Sequence, residues 1–78
     1  MPKSNIVVHS INSHDQARCV DVFRRPDGSF GFEEYRRDAE DARGWFPTGG
    51  YAGLDFPTED AALVDAARRV AWLPPRVG

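Results

Sequence analysis

Four residues near the start of the chain have the side chains that metals and nucleophilic chemistry use: His9, His14, Asp15 and Cys19. Zinc takes histidine nitrogen and cysteine sulfur in tetrahedral sets, but these spacings match none of its recurrent patterns. A Cys–His nucleophile needs a third group to orient the base and a place for developing negative charge, and no motif supplies either. Solvent-exposed histidines are the simpler reading. The carboxylates Glu33, Glu34, Asp38, Glu40 and Asp41 could do acid–base work only if two of them converged on one cleft. Neighbours in a strand point to opposite faces, so solubilising charge is the economical role. Gly49-Gly50 after Thr48 lacks the Lys-Ser/Thr of a phosphate loop and the spacing of a dinucleotide loop, and reads as a turn or bulge. The residues assign no catalytic, metal or cofactor site, and a small metal-binding protein or hydrolase is the least favoured of the readings.

Contact chemistry is better represented. Nine aromatics stand among 78 residues (2 Trp, 2 Tyr and 5 Phe), and arginines recur in adjacent pairs at 24–25, 36–37 and 68–69. Arginine forks suit carboxylates and phosphates, and exposed aromatics interleaved with arginine bind proteins or nucleic acid. The formal net charge of -2 opposes nonspecific binding to a polyanion, which calls for a basic excess. The candidate interaction surface is Phe23, Arg25, Tyr35, Arg36, Trp45 and Trp72. Its expected partner is another protein or a second copy of the chain. Nucleic acid is the alternative, and no membrane partner is expected.

The elements that must position these residues can be read from pattern. Residues 1–16 mix a short apolar run, Ile6-Val7-Val8, with polar turn formers; they form a mobile segment or an edge strand. Residues 17–73 form a single domain, and 74–78 are a tail. Arg18 to Arg25, with Val20, Val22 and Phe23, reads as a strand. Pro26-Asp27-Gly28 is a three-residue hairpin loop, and Ser29 to Arg36 returns with Phe30 and Phe32 on one side. With Arg25 facing Ser29, Val22 lies opposite Phe32 and Phe23 opposite Gly31. Val20, Val22, Phe30 and Phe32 are then core; Cys19, Asp21, Phe23, Glu33 and Tyr35 share the other face. A one-residue slip would exchange the two sets.

Arg37 to Gly44 is dense in charge and reads as a solvated loop. Trp45 and Phe46 open a third extended segment, confined to an edge by Pro47. Thr58 caps a helix whose first turn carries Glu59 and Asp60. Leu63, Ala66, Ala67, Val70 and Leu73 form its apolar stripe, Asp65 can pair with Arg68 or Arg69, and Pro74-Pro75 stop it. At helical spacing Trp72 falls opposite the stripe, near Arg68. The expected fold class is α+β: a three-stranded antiparallel sheet, four-stranded if Ile6 to Ile11 joins, packed on one C-terminal helix. One such helix covers one sheet face, which leaves the other for contact.

This order of elements resembles two kinds of three-strand-plus-helix domain over Ala17 to Leu73. One is the plant ethylene-response-factor type of DNA-binding domain; the other is a class of small bacterial uncharacterised proteins. The first resemblance implies that Arg25, Arg36 and Trp45 on the bare sheet face would approach a DNA groove. Asp21 and Glu33 on that same face depart from the pattern. The single cysteine rules out an internal disulfide and suits a reducing compartment. With no run of about 20 apolar residues and no signal-peptide pattern at 1–9, the expected location is the cytoplasm.

Overall fold

The tight loop at Pro26-Asp27-Gly28 sets the register of the sheet. Gly28 adopts φ 89°, open to glycine at little cost. The Arg25 N–H donates to the Ser29 carbonyl at 2.8 Å, and the Gly28 N–H to the Arg25 carbonyl at 2.9 Å. The Asp27 carboxylate accepts from both the N–H and the hydroxyl of Ser29, and these bonds hold its pKa below the ordinary value. The structure, a computed structural model, describes residues 4–38, 40 and 44–74. Around this loop, β2 (Arg18–Arg24) and β3 (Phe30–Arg37) pair with Val22 opposite Phe32 and Phe23 opposite Gly31, as the loop geometry requires.

Two flanking strands complete a four-stranded antiparallel sheet of order β1-β2-β3-β4. The apolar run near the start becomes β1 (Ile6–Asn12), an edge strand along β2 whose register shifts between Val7 and His9. Alternation from Ile6 puts Val8 on the core side, and the shift brings Ile11, opposite Val20, to that side as well. The opposite edge, β4 (Trp45–Pro47), has only three residues, consistent with a proline that cannot donate to a ladder. The chain then leaves the ladder and rejoins β3 at a single bridge, Phe30 to Phe56. Arg37 belongs to β3 rather than to the following loop. Residues 39 and 41–43 of that loop lie outside the described residues.

Helix α1 (Glu59–Arg69) begins as its sequence dictates. The Thr58 hydroxyl accepts the Ala61 N–H at 3.1 Å, and Asp65 pairs with Arg69 one turn on at 2.6 Å. The core lies between helix and sheet. Val20, Val22 and Phe32 are fully buried there with Ala62 and Ala66, beside Leu63, Val70 and Leu73. Alanines at the contact let the helix backbone approach β2 and β3 closely, so the apolar sheet residues are completely dehydrated. The fold is thus α+β, one helix on one face of an antiparallel sheet.

The helix ends earlier than the apolar stripe. Val70 is already extended (φ -98°, ψ 109°), although its N–H still bonds the Ala66 carbonyl. A turn closed by the Leu73 N–H on the Val70 carbonyl brings Leu73 into the core. The expected stop at Pro74-Pro75 is therefore corrected: the helix has already ended, and Pro75 lies outside the described residues. The reason is burial. A continued helix would carry Trp72 away from the sheet, whereas the turn lets Trp72 pack against the core together with Leu73. Burying a large aromatic contributes on the order of 2 kcal/mol, more than one further helical turn.

Candidate interaction surface

Strand alternation assigns one set of side chains to the sheet face opposite α1. It comprises Val7, Ser10 and Asn12 on β1, Cys19, Asp21 and Phe23 on β2, Glu33, Tyr35 and Arg37 on β3, and Trp45 on β4. This face falls into two halves of different character.

The half near the 26–28 loop is sealed. Phe23 lies across Gly31, where an added Cβ would stand 2.9 Å from its ring. The Arg25 guanidinium stacks 5.0 Å from the centre of that ring and also stands over Gly31. Arg25 then donates to the carbonyls of Phe30 (3.0 Å), Ala52 (2.7 Å) and Leu54 (3.0 Å) and to the carboxylate of Asp55 (2.7 Å). Glu33 is only 4% exposed and accepts the N–H groups of Glu34 (2.9 Å), Tyr51 (3.2 Å) and Ala52 (3.3 Å). The 48–55 loop thus straddles the sheet edge. Its side chains Tyr51 and Leu54 join the helix-side core with Phe56, and Tyr51 and Phe56 lie 5.1 and 5.8 Å from the Phe32 ring. Its main-chain polar groups meet Glu33 and Arg25. Glu33 is therefore a buried clamp, and its reading as solubilising charge is corrected: a loop lacking its own ladder supplies N–H donors that a buried carboxylate can satisfy.

The other half is open, a concavity of about 590 Å³. Its floor is a small hydrogen-bonded cluster. The Ser10 hydroxyl donates to Asp21 Oδ1 at 2.7 Å, and the Cys19 thiol donates to the same oxygen at 3.2 Å. Burial, reinforced by Asp21, pushes the Cys19 thiol above its ordinary value of 9.0. The Tyr35 phenol is likewise pushed up, first by burial and then by Asp21 and Glu33. Both groups are protonated donors at neutral pH. A nucleophilic cysteine needs the opposite environment, with positive charge beside the sulfur.

The rim carries the aromatic and basic groups. Trp45 is 40% exposed, and the Arg37 guanidinium stacks 5.1 Å from its ring centre. Arg37 also reaches the Gln16 carbonyl at 3.5 Å. Gln16 sits at φ 59°, a left-handed conformation costing a non-glycine residue on the order of 1 kcal/mol. The turn holds it there: the Gln16 N–H donates to the Ser13 carbonyl, and the Asp15 carboxylate accepts the Ser13 hydroxyl and the Ala17 N–H. Those bonds also lower the Asp15 pKa.

The six candidate residues are thus dispersed. Tyr35 and Trp45 come together in the open half. Phe23 and Arg25 share the same face but belong to its sealed half, Phe23 being buried. Alternation puts Arg36 on the helix side of β3, opposite Phe46. Trp72 is also on the helix side, donating through Nε1 to Glu34 at 2.8 Å; because the helix ends at Arg69, the helical spacing that set it opposite the stripe does not hold, and it packs against the core. Glu34, like Glu33, is engaged in structure, with Arg18 3.7 Å away. His9 lies 3.9 Å from Glu59 on the helix side, whereas Cys19 is on the opposite face of the sheet. No three potential ligands converge on a metal position among the described residues.

Sequence reasoning missed Arg37 and the Ser10–Cys19–Asp21 cluster as parts of one site. A period of two carried through Arg37 would have aligned it with Tyr35, but assigning it to a loop broke the count. Ser10 depended on the pairing of β1, which no local signal fixes. No helix among the described residues is long and apolar enough to cross a membrane. Comparison with protein-family models, with curated proteins and with solved structures finds no match for this chain.

Proposed function

We propose that this domain is a non-enzymatic contact module that holds a protein partner against the open half of the sheet face. The observation that carries the reading is the pairing of an exposed Trp45–Arg37 stack with a recessed Asp21–Tyr35 floor. Aromatic and arginine side chains are the usual anchors of protein interfaces. A carboxylate at the base of an aromatic-rimmed hollow suits a protruding lysine or arginine of the partner. The protonated Tyr35 phenol is available there as a hydrogen-bond donor, while the Cys19 thiol donates to Asp21 within the floor.

The test is a photo-crosslinking amino acid placed at Trp45, with a second placed at exposed Arg68 on the helix as control. Discrete protein adducts from Trp45 alone, diminished by Asp21→Ala, are expected. Equal adducts from both positions would refute the assignment. Micromolar binding of single- or double-stranded nucleic acid at physiological salt, abolished by Arg37→Ala, would replace the protein reading with the nucleic-acid one, since nonspecific phosphate contacts collapse with salt.

A further inference from the structure

The two edges of the sheet are unequal. β4 presents three residues including a proline, whereas β1 presents seven, Ile-Val-Val-His-Ser-Ile-Asn, with its outer side unpaired by any described strand. Natural sheets guard such edges with lysine, proline, inward charge or a bulge. β1 contains no Asp, Glu, Lys, Arg or Pro, and its one guard is the register shift between Val7 and His9. The two exposed large aliphatic side chains among the described residues also sit at its start, Ile6 at 53% and Val7 at 55%. Alternation points Ile6, opposite Arg24, to the helix side and Val7, opposite Phe23, to the other. An added strand would cover both.

We propose that β1 pairs antiparallel with β1 of a second copy of this chain, making a continuous eight-stranded sheet. Three considerations select a second copy as the occupant. A strand without formal charge meets its twin with no like-charge repulsion and with equal apolar character on each side. Antiparallel pairing of identical edges requires a two-fold axis perpendicular to the sheet, which puts both helices on one side. Finally, α1 packs on β2 and β3, so four strand spacings, about 19 Å, separate the two helix axes. Helices about 10–12 Å across do not collide at that distance. The pairing leaves the open half of each sheet face free, so it is independent of the contact function proposed above.

Sedimentation equilibrium over micromolar to millimolar concentrations of the full chain tests the pairing. A monomer–dimer equilibrium is expected. Val7→Lys should weaken it by roughly tenfold or more while circular dichroism and the melting midpoint hold, because an edge lysine opposes strand addition. Trp45→Ala should leave it unchanged. Amide chemical shifts of the unmodified chain give a second readout that needs no variant, with concentration dependence expected at residues 6–12. A monomer throughout the range would overturn the proposal. So would a dimer sensitive to Trp45→Ala and indifferent to Val7→Lys, or shifts scattered away from β1.

Discussion

One face of this sheet is built in two ways. In its sealed half, Arg25 and Glu33 are consumed by the fold, holding the main chain of the 48–55 loop. In its open half, Asp21 and Arg37 belong to a hollow that no described segment covers. The same alternation of strands delivered charge and aromatics to both halves. The difference is the loop that returns along β3 to Phe56 and brings donors and acceptors needing partners. A charged side chain on an uncovered sheet face is therefore no guide to function until the neighbouring main chain has been accounted for.

The comparison can be broken first beneath the sealed half. Phe32→Ala should destabilise the domain by about 3–5 kcal/mol, because the ring fills the space between α1, Tyr51 and Phe56. A domain this small has a total stability of roughly 5 kcal/mol, so urea melts should show it largely unfolded. A loss under about 1 kcal/mol would mean that the ring is not the keystone its burial implies.

Glu33→Ala comes next, at about 2–3 kcal/mol, since three main-chain N–H groups lose a buried acceptor. Glu33→Gln, which keeps one carbonyl oxygen in place, should cost less. The matching change in the open half, Asp21→Ala, should cost under about 1 kcal/mol, its partners being a hydroxyl and a thiol. Equal losses at the two carboxylates in denaturant melts would erase the distinction between the halves.

Alkaline pH gives a smaller, directional effect. Cys19 and Tyr35 hold their protons more tightly folded than unfolded, so above their ordinary values of 9.0 and 10.0 the native state binds more protons than the unfolded chain. Stability is then lost as pH rises through that window towards the raised folded values, and is unaffected by these groups at neutral pH. Melting midpoints of the unmodified chain should fall there, and Cys19→Ser with Tyr35→Phe should flatten the fall. A steeper fall in the double variant would contradict the assignment. The smallest effect belongs to the rim. Trp45→Ala should change stability by no more than about 0.5 kcal/mol in the same melts, as an exposed cation–π pair contributes little.

Local chemistry alone determined the central hairpin and the start of the helix. Pro26-Asp27-Gly28 admits one compact loop, and that loop fixes every pair from Arg24–Phe30 to Arg18–Arg36. Thr58 followed by two acids similarly permits a helix start at one place. What required the tertiary structure was everything set by a distant partner. The pairing of β1 put Ser10 beside Asp21, and the 48–55 loop turned Arg25 and Glu33 into clamps. The burial of Leu73 with Trp72 ended α1 before its prolines. Turns and caps act over three or four residues, where steric and hydrogen-bond limits leave few conformations. Which charges are spent on the fold depends on chain segments far apart in sequence, and their meeting is decided by the core they share.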